Sequence, residues 1–162
     1  MIATNSRIAM KKFCTFVLFF IPLFGFSQRL GVGIIIGNPT GFSGRYLLAT
    51  NSAIAVNAGW SLRRNVGFHI TGTYQYLFPG VIKDDAGVSL DNIAPHLGIG
   101  GRFLVKSKEA DETEFNLGVR IGGGIEYMVS RFEIFLELYP VVNVIPATDF
   151  DIEGGLGVRF YF

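Results

Sequence analysis

The sequence predicts an all-β protein: an eight-stranded antiparallel up-and-down transmembrane β-barrel, preceded by a cleavable signal-peptide helix. Three observations lead to this fold class. Apolar side chains alternate with polar ones or glycine along eight segments, which is the period of a β-strand. A signal-like segment comes before them, and the chain ends on an alternating aromatic segment, Gly157 to Phe162. Chain termini usually fray, so a last residue placed firmly in a strand indicates that its apolar face meets lipid.

The start of the chain has the order of a secretory signal peptide. The basic segment Met10-Lys11-Lys12 precedes an apolar run from Phe13 to Phe24, and small residues follow up to Ser27. We expect cleavage after Ser27, so residues 1–27 are the predicted signal peptide and residues 28–162 the predicted barrel domain.

Two other interpretations of this start are weaker. A transmembrane anchor needs about 20 apolar residues, and the run is shorter than that. Cys14 lies early in the run rather than at the cleavage point, which argues against lipoprotein attachment. The pattern leaves open whether translation starts at Met1 or at Met10. We expect the chain to be exported.

The composition of the mature chain excludes several classes of protein. Cleavage removes Arg7, Lys11 and Lys12 from the 14 basic residues and none of the 13 acidic ones, which leaves a formal net charge of −2 and no cysteine. No block of like charge suggests a nucleic-acid partner. No apolar run is long enough for a helical span, and the remaining way to satisfy every backbone group in lipid is a closed barrel.

The eight alternating segments are joined by short turn sequences and one long connection. The turns fall at Asn38 to Gly41, Thr50 to Ser52, Arg63 to Asn65 and Ser130-Arg131. The segments themselves are Leu30 to Gly37, Phe42 to Leu48, Ala53 to Leu62, Val66 to Tyr76, His96 to Val105, Phe115 to Tyr127, Phe132 to Tyr139 and Asp151 to Phe162.

The two faces of these segments differ in a way that favours lipid outside. One face carries large aliphatic and aromatic side chains, whereas the other combines glycine with long charged residues, as a narrow packed interior requires. A soluble barrel that binds a small apolar ligand would reverse the faces. We therefore predict a lumen network of paired charges, because unpaired buried charge is costly. Its members are Arg45, Arg102, Arg120, Glu126, Glu133, Glu137, Glu153 and Arg159.

Aromatic residues on the apolar face cluster toward segment ends, where amphipathic rings meet lipid headgroups. This pattern predicts an aromatic girdle, although aromatic residues favour any strand. The predicted members are Tyr46, Trp60, Tyr74, Tyr76, Phe78, Phe132, Phe160 and Phe162.

The chain resembles the small outer-membrane β-barrels of Gram-negative bacteria, of the OmpA/OmpX size class. The signal, the eight alternating segments and the closing Gly157-x-x-Phe160-x-Phe162 carry the resemblance, and Ser27-Gln28 is similar to exported proteins of the Bacteroidetes. The resemblance implies a monomeric protein of the outer membrane, with Gly157, Phe160 and Phe162 as the signal for the barrel assembly machinery. Gly155 departs from the pattern, which usually has a polar residue there.

The resemblance also predicts which connections face which side. With the N-terminus in the periplasm, the connections at Asn38, Arg63, Lys106 and Asn143 become short external loops. The connection of residues 79–92 then lies in the periplasm, and it is unusually long for that side. We expect a small irregular or helical excursion there.

Candidate chemistry is sparse. His69 and Thr71 share a face, and His96 lies on the same face of the next segment. The His-x-Thr pair is weakly similar to the residues that barrel enzymes use to modify lipid A. A neutral histidine hydrogen-bonded within a polar interior explains His69 more simply. No ligand spacing supports a metal site of His69 and His96 with Glu126 or Glu137. We predict no catalytic residue, no cofactor and no metal.

Three functions remain open at this stage. The first is a structural or passive outer-membrane barrel with a charge-paired, non-conducting lumen, and it is the one that we favour. The second is an enzyme that modifies lipid A and uses His69. The third is a soluble periplasmic barrel that carries a small apolar ligand.

Overall fold

The protein forms one closed β-barrel of eight strands in the computed structural model, which describes residues 29–61, 66–107 and 113–162. The predicted signal peptide lies outside the described residues, as do the turn at Arg63 to Asn65 and the connection of residues 108–112. The strands are β1 (Leu30–Asn38), β2 (Thr40–Ala49), β3 (Ser52–Trp60), β4 (Val66–Leu77), β5 (Ile93–Ser107), β6 (Thr113–Val129), β7 (Phe132–Ile145) and β8 (Asp149–Tyr161).

Each strand pairs antiparallel with its neighbour in the chain, and β8 pairs with β1 to close the ring. Val32 opposite Phe160 and Ile34 opposite Val158 fix the register of this closing seam. Followed round the barrel, the registers are staggered by about 10 residues, which for eight strands leaves an interior that side chains can fill. The predicted strand number and up-and-down order are therefore confirmed.

The start of β1 at Leu30 and the end of β8 at Tyr161 lie at one end of the barrel, which we call the terminal end; the opposite end is the distal end. Two tight connections lie at the terminal end: Thr50-Asn51 between β2 and β3, and Ser130-Arg131 between β6 and β7, where Ser130 takes a φ of 57°. At the distal end β1 and β2 are joined through the single residue Pro39.

The long connection between β4 and β5 also lies at the terminal end and is irregular. Lys83 and Ser89 form an isolated β-bridge, and Leu90 N–H donates to the Ile82 carbonyl. The side chain of Asp84 accepts hydrogen bonds from the backbone N–H groups two and four residues further on, at distances of 2.9 and 2.8 Å. The expected excursion is therefore a small hydrogen-bonded loop rather than a helix.

The longer strands correct two boundary predictions. Lys106 and Asn143 were expected in loops, but Lys106 lies inside β5 and Asn143 inside β7, which continues to Ile145. Pro140 does not end the strand; it keeps its place opposite Ile152, and the alternation of buried and exposed side chains continues through Val144. Strands β5 and β6 likewise reach 15 and 17 residues.

The apolar face of the strands points away from the barrel axis. Ile34, Val119 and Leu136 are 56%, 45% and 55% exposed. The residues directly before and after each of them in its strand are buried or are glycine. No helix in the described ranges is long and apolar enough to cross a membrane.

Aromatic rings on the outer wall gather toward the two ends. At the terminal end Phe160 packs on Phe132 and on Phe162, with ring centroids 5.1 and 5.4 Å apart. At the distal end Phe103 stacks on Phe115 at 5.9 Å. Of the predicted girdle, Tyr46, Tyr76, Phe78, Phe132, Phe160 and Phe162 lie at the terminal end, Trp60 ends β3 at the distal end, and Tyr74 lies further into the wall.

Candidate functional site

The inner face of the barrel holds all eight residues of the predicted lumen network, and none is more than 5% exposed. Glycine provides the room for these long side chains. A Cβ on Gly98 would lie 2.5 Å from Tyr139 Oη, and one on Gly124 would lie 2.8 Å from His96 Cε1. The glycines between the charged residues therefore serve interior packing.

One group of charges lies in the terminal half of the lumen. Arg45 Nη1 contacts Glu126 Oε2 and lies 2.9 Å from Glu133 Oε1. Arg159 Nη1 lies 2.6 Å from the same Glu133 oxygen, and Tyr161 Oη donates to Glu133 Oε2 at 2.5 Å. The two carboxylates in this half thus compensate two guanidinium groups.

A second group lies in the distal half. Arg102 Nη1 is 2.7 Å from Glu153 Oε1 and 2.9 Å from Asp151 Oδ2, and its Nη2 donates to Asn143 Oδ1. His69 Nε2 lies 3.0 Å from Glu153 Oε1. This half therefore contains one carboxylate, Asp151, that was not among the predicted eight.

Neutral side chains and Arg120 connect the two groups. Arg159 Nε donates to Ser43 Oγ at 2.8 Å, and Ser43 Oγ is 2.6 Å from Asn57 Oδ1. Asn57 Nδ2 donates in turn to Glu137 Oε1 at 2.9 Å. Arg120 completes the path, with its guanidinium nitrogens 3.7 Å from Glu137 and 3.5 Å from Glu153. Polar contacts therefore run through the lumen from one half to the other.

Two guanidinium groups also stack on aromatic rings. The Arg120 guanidinium carbon lies 4.0 Å from the centroid of the Tyr139 ring, and that of Arg159 lies 3.6 Å from the centroid of Phe135. Both rings are buried. Cation–π contacts of this kind strengthen when they are shielded from water, so both rings stabilise the guanidinium groups beside them. The same rings also fill space in the lumen.

Each of the four arginines lies within 4.0 Å of at least one carboxylate oxygen. Burial of charge is costly, and close pairing in a low dielectric offsets much of that cost. Hydrogen bonding is less complete than charge pairing, since Arg45 Nε and Arg159 Nη2 have no acceptor among the described residues. We therefore expect the ion pairs to account for most of the network's contribution to stability.

The two histidines face different carboxylates. His69 faces Glu153, whereas His96 lies 3.6 Å from Glu126 and 3.3 Å from Gln75 Nε2. The side-chain oxygen of Thr71 makes no hydrogen bond within the described part of the chain. In that same part, no three His, Cys, Asp or Glu side chains are grouped so that they could hold a metal ion.

Sequence reasoning missed the uncharged members of the network. Ser43, Asn57 and Asn143 all accept or donate hydrogen bonds to its charged residues. Ser43 lies two residues before Arg45 on β2, and Asn57 lies on the buried face of β3, so the alternation could have found both. Asn143 was missed because its strand was predicted to end earlier.

The three residues of the predicted assembly signal have distinct positions. Phe160 and Phe162 pack together in the aromatic group at the terminal end. Gly157 faces inward, where a Cβ would lie 2.2 Å from Phe135 Cζ, so no larger residue fits beside that ring. The geometry thus gives Gly157 a packing role, and recognition by an assembly machinery stays a prediction.

Comparison with known proteins identifies a likeness in fold. No protein-family description matches the sequence, and no curated protein matches it. Among solved structures, the barrel is similar to the N-terminal β-barrel domain of Pseudomonas aeruginosa OprF, with a TM-score of 0.64 and 18% sequence identity. The match covers 84% of this chain and 98% of that one. At this identity the likeness supports the eight-stranded barrel fold.

Proposed function

We propose that this protein is a small outer-membrane β-barrel with a structural or passive role in the membrane and a charge-paired, non-conducting lumen. One observation carries the proposal: the side chains that point outward along all eight strands are apolar, while the charged side chains of the strands point inward. Ile34, Val119 and Leu136, on three separate strands, are about half exposed. Exposed apolar surface of this extent on a folded protein indicates contact with a membrane or a partner.

A barrel is the shape that such an outer surface requires in lipid. Hydrocarbon offers no hydrogen bond to the backbone, and a closed ring of strands leaves no edge unpaired. The seam between β8 and β1 is fully paired from Gly31 to Asn38, so the described wall is continuous there. The aromatic groups at both ends of the outer wall support the same orientation, because such rings favour the headgroup level.

The soluble-carrier alternative is not favoured. A carrier of a small apolar ligand needs an apolar cavity inside and a polar surface outside. This interior instead contains Arg45, Arg120 and Glu153, each about 1% exposed, and it is crossed by hydrogen bonds. The outer wall offers no comparable polar surface.

The filled interior supports the absence of conductance. Tyr139 and Phe135 are fully buried beside stacked guanidinium groups, and these two side chains also fill the space next to the inward glycines Gly98 and Gly157. Eight strands enclose little more than side-chain volume. We expect no stable ion current through the protein in a planar bilayer.

The remaining parts of the proposal concern export and assembly. We propose that residues 1–27 are removed as a signal peptide, that the terminal end faces the periplasm, and that the barrel is monomeric. The barrel assembly machinery is the proposed partner during biogenesis, with Gly157, Phe160 and Phe162 as its signal. We propose no enzymatic activity, since His69 is fully buried against Glu153.

Cell fractionation combined with gel electrophoresis tests the proposal. We expect the protein in the outer-membrane fraction, with a band that runs faster when the sample is not boiled in detergent. Recovery of a monodisperse protein from the soluble fraction would contradict the proposal. Unchanged lipid A in a His69→Ala strain is the expected result for a protein without lipid A chemistry, and altered lipid A would favour the enzyme.

A further inference from the structure

The first strand contributes almost nothing to the polar interior. Its inward positions are Gly31, Gly33, Ile35 and Gly37, none of which has a side chain that can form a hydrogen bond. A Cβ on Gly31 would lie 2.7 Å from Tyr161 Cζ, and one on Gly33 would lie 1.8 Å from the Val158 carbonyl oxygen. Strand β1 is therefore held in the wall by its backbone pairing with β2 and β8.

Side chains of β2 extend past the inner face of β1 to contact β7 and β8. Arg45 on β2 pairs with Glu133 on β7 at 2.9 Å, and Ser43 on β2 accepts a hydrogen bond from Arg159 on β8. Glu133 also accepts from Arg159 and from Tyr161, both on β8. The carboxylate of Glu133 thus gathers donors from both sides of the seam between β8 and β1.

We propose that Glu133 is an internal latch that holds the barrel closed at its seam. Separation of β1 from β8 would carry Arg45 and Ser43 away from Glu133 and Arg159. Arg45 and Glu133 are no more than 1% exposed in the closed barrel, so their separation would break a buried ion pair in a low-dielectric interior, while the Arg159–Glu133 pair on β8 and β7 would stay together. The latch therefore stabilises the seam beyond what its backbone ladder provides.

Glu153 provides a matched control for this role. It is as deeply buried as Glu133 and also faces three cationic or imidazole groups, from Arg102, Arg120 and His69. Those three residues belong to β5, β6 and β4, so none is on β1 or β2. Loss of the Glu153 charge should disturb the interior without acting selectively on the seam.

Amide hydrogen exchange of the refolded full chain in detergent micelles tests the latch. In Glu133→Gln we expect amides of the β1–β8 ladder to exchange about tenfold faster or more relative to those of the β4–β5 ladder, because a charge-assisted bond across the seam is lost. In Glu153→Gln we expect no such preference for the seam. Equal changes in both ladders for Glu133→Gln, or the same pattern in both variants, would overturn the latch.

A milder variant covers the case in which Glu133→Gln does not fold. Tyr161→Phe removes only the hydroxyl that donates to Glu133, and its ring continues to fill the space above Gly31. We expect a smaller acceleration that is again confined to β1 and β8. A disulfide between Val32→Cys and Phe160→Cys, which are opposite each other on the seam, should restore slow exchange. Failure of the seam amides to respond to Tyr161→Phe would also contradict the proposal.

Discussion

The two halves of the barrel wall contribute differently to the interior. The C-terminal half, β5 to β8, supplies seven of the eight predicted lumen charges, and the N-terminal half, β1 to β4, supplies only Arg45. The N-terminal half instead offers neutral polar groups such as Ser43 and Asn57. Its strands are also shorter, with 9 to 12 residues against 13 to 17.

This difference shows how a narrow lumen can hold many charges. The pairs Arg102–Glu153, Arg120–Glu153 and Arg159–Glu133 form within the C-terminal half, so most of the compensation is local to one wall. The N-terminal half completes the hydrogen bonds and adds one arginine at the seam. Most ion pairs thus lie within the C-terminal half, and the N-terminal half joins them across the lumen through Arg45, Ser43 and Asn57.

Removal of a carboxylate from the C-terminal half should have the largest effect. Glu153→Ala leaves Arg102 and Arg120 without their shared partner, and breaking a buried pair in this way costs about 3–5 kcal/mol of folding stability. Denaturant titration of the refolded barrel measures the loss. A loss no larger than that of a neutral lumen variant would show that the wall does not depend on its own ion pairs.

A charge on the outer face should cost nearly as much in either half. We expect Leu156→Arg and Ile121→Arg on the C-terminal half, and Ile34→Arg on the N-terminal half, each to destabilise the barrel by about 2–4 kcal/mol if the site lies near the bilayer midplane. Folded fractions in lipid bilayers measure this effect. An unchanged folded fraction for Leu156→Arg would show that the apolar face was wrongly assigned to the lipid side.

Loss of a neutral group in the N-terminal half should have a smaller effect. Asn57→Ala removes one hydrogen bond to Glu137 and one to Ser43, for which we expect a loss of about 1–2 kcal/mol. The same denaturant titration applies, with Glu153→Ala as the comparison. If Asn57→Ala cost as much as Glu153→Ala, the contrast between the two halves would fail.

The smallest effect is expected at an outward glycine. Gly101→Leu adds a side chain to open space, since the nearest atom to its Cβ would be the Gly118 carbonyl oxygen at 3.8 Å. We expect a change within about 0.5 kcal/mol, as for a surface position. Gly98→Leu is the control: it lies on the same strand but faces Tyr139, and it should prevent normal packing. Equal tolerance of both variants would show that the lumen is not filled.

The fold was accessible from the sequence because strand alternation is a local property. Residues two apart lie on the same face of a strand, so the recurrence of polar residues at every second position identified the inner face. Arg45, Glu133 and Arg159 were all placed inside on that basis. Ends of strands were less accessible: the continuation of β7 to Ile145 depends on its pairing with β8 and not on the residues around Pro140 alone.

The partners within the site could not be predicted in the same way. Alternation places Arg45 and Glu126 on the inner face, but these residues are 81 positions apart and meet only across the lumen. Their contact depends on the number of strands and on the stagger of the registers, both of which are properties of the closed ring. Asp151 and Asn143 join Arg102 for the same reason.

The sequence by itself determined that this chain makes strands with one apolar and one polar face, because successive side chains of an extended backbone point to opposite faces. It also determined the count of those strands, through the turn residues between them. Only the tertiary structure decided which guanidinium meets which carboxylate, and that Glu133 on β7 pairs with Arg45 on β2 across the seam between β8 and β1. These contacts form between residues distant in sequence, so closure of the barrel brings them together.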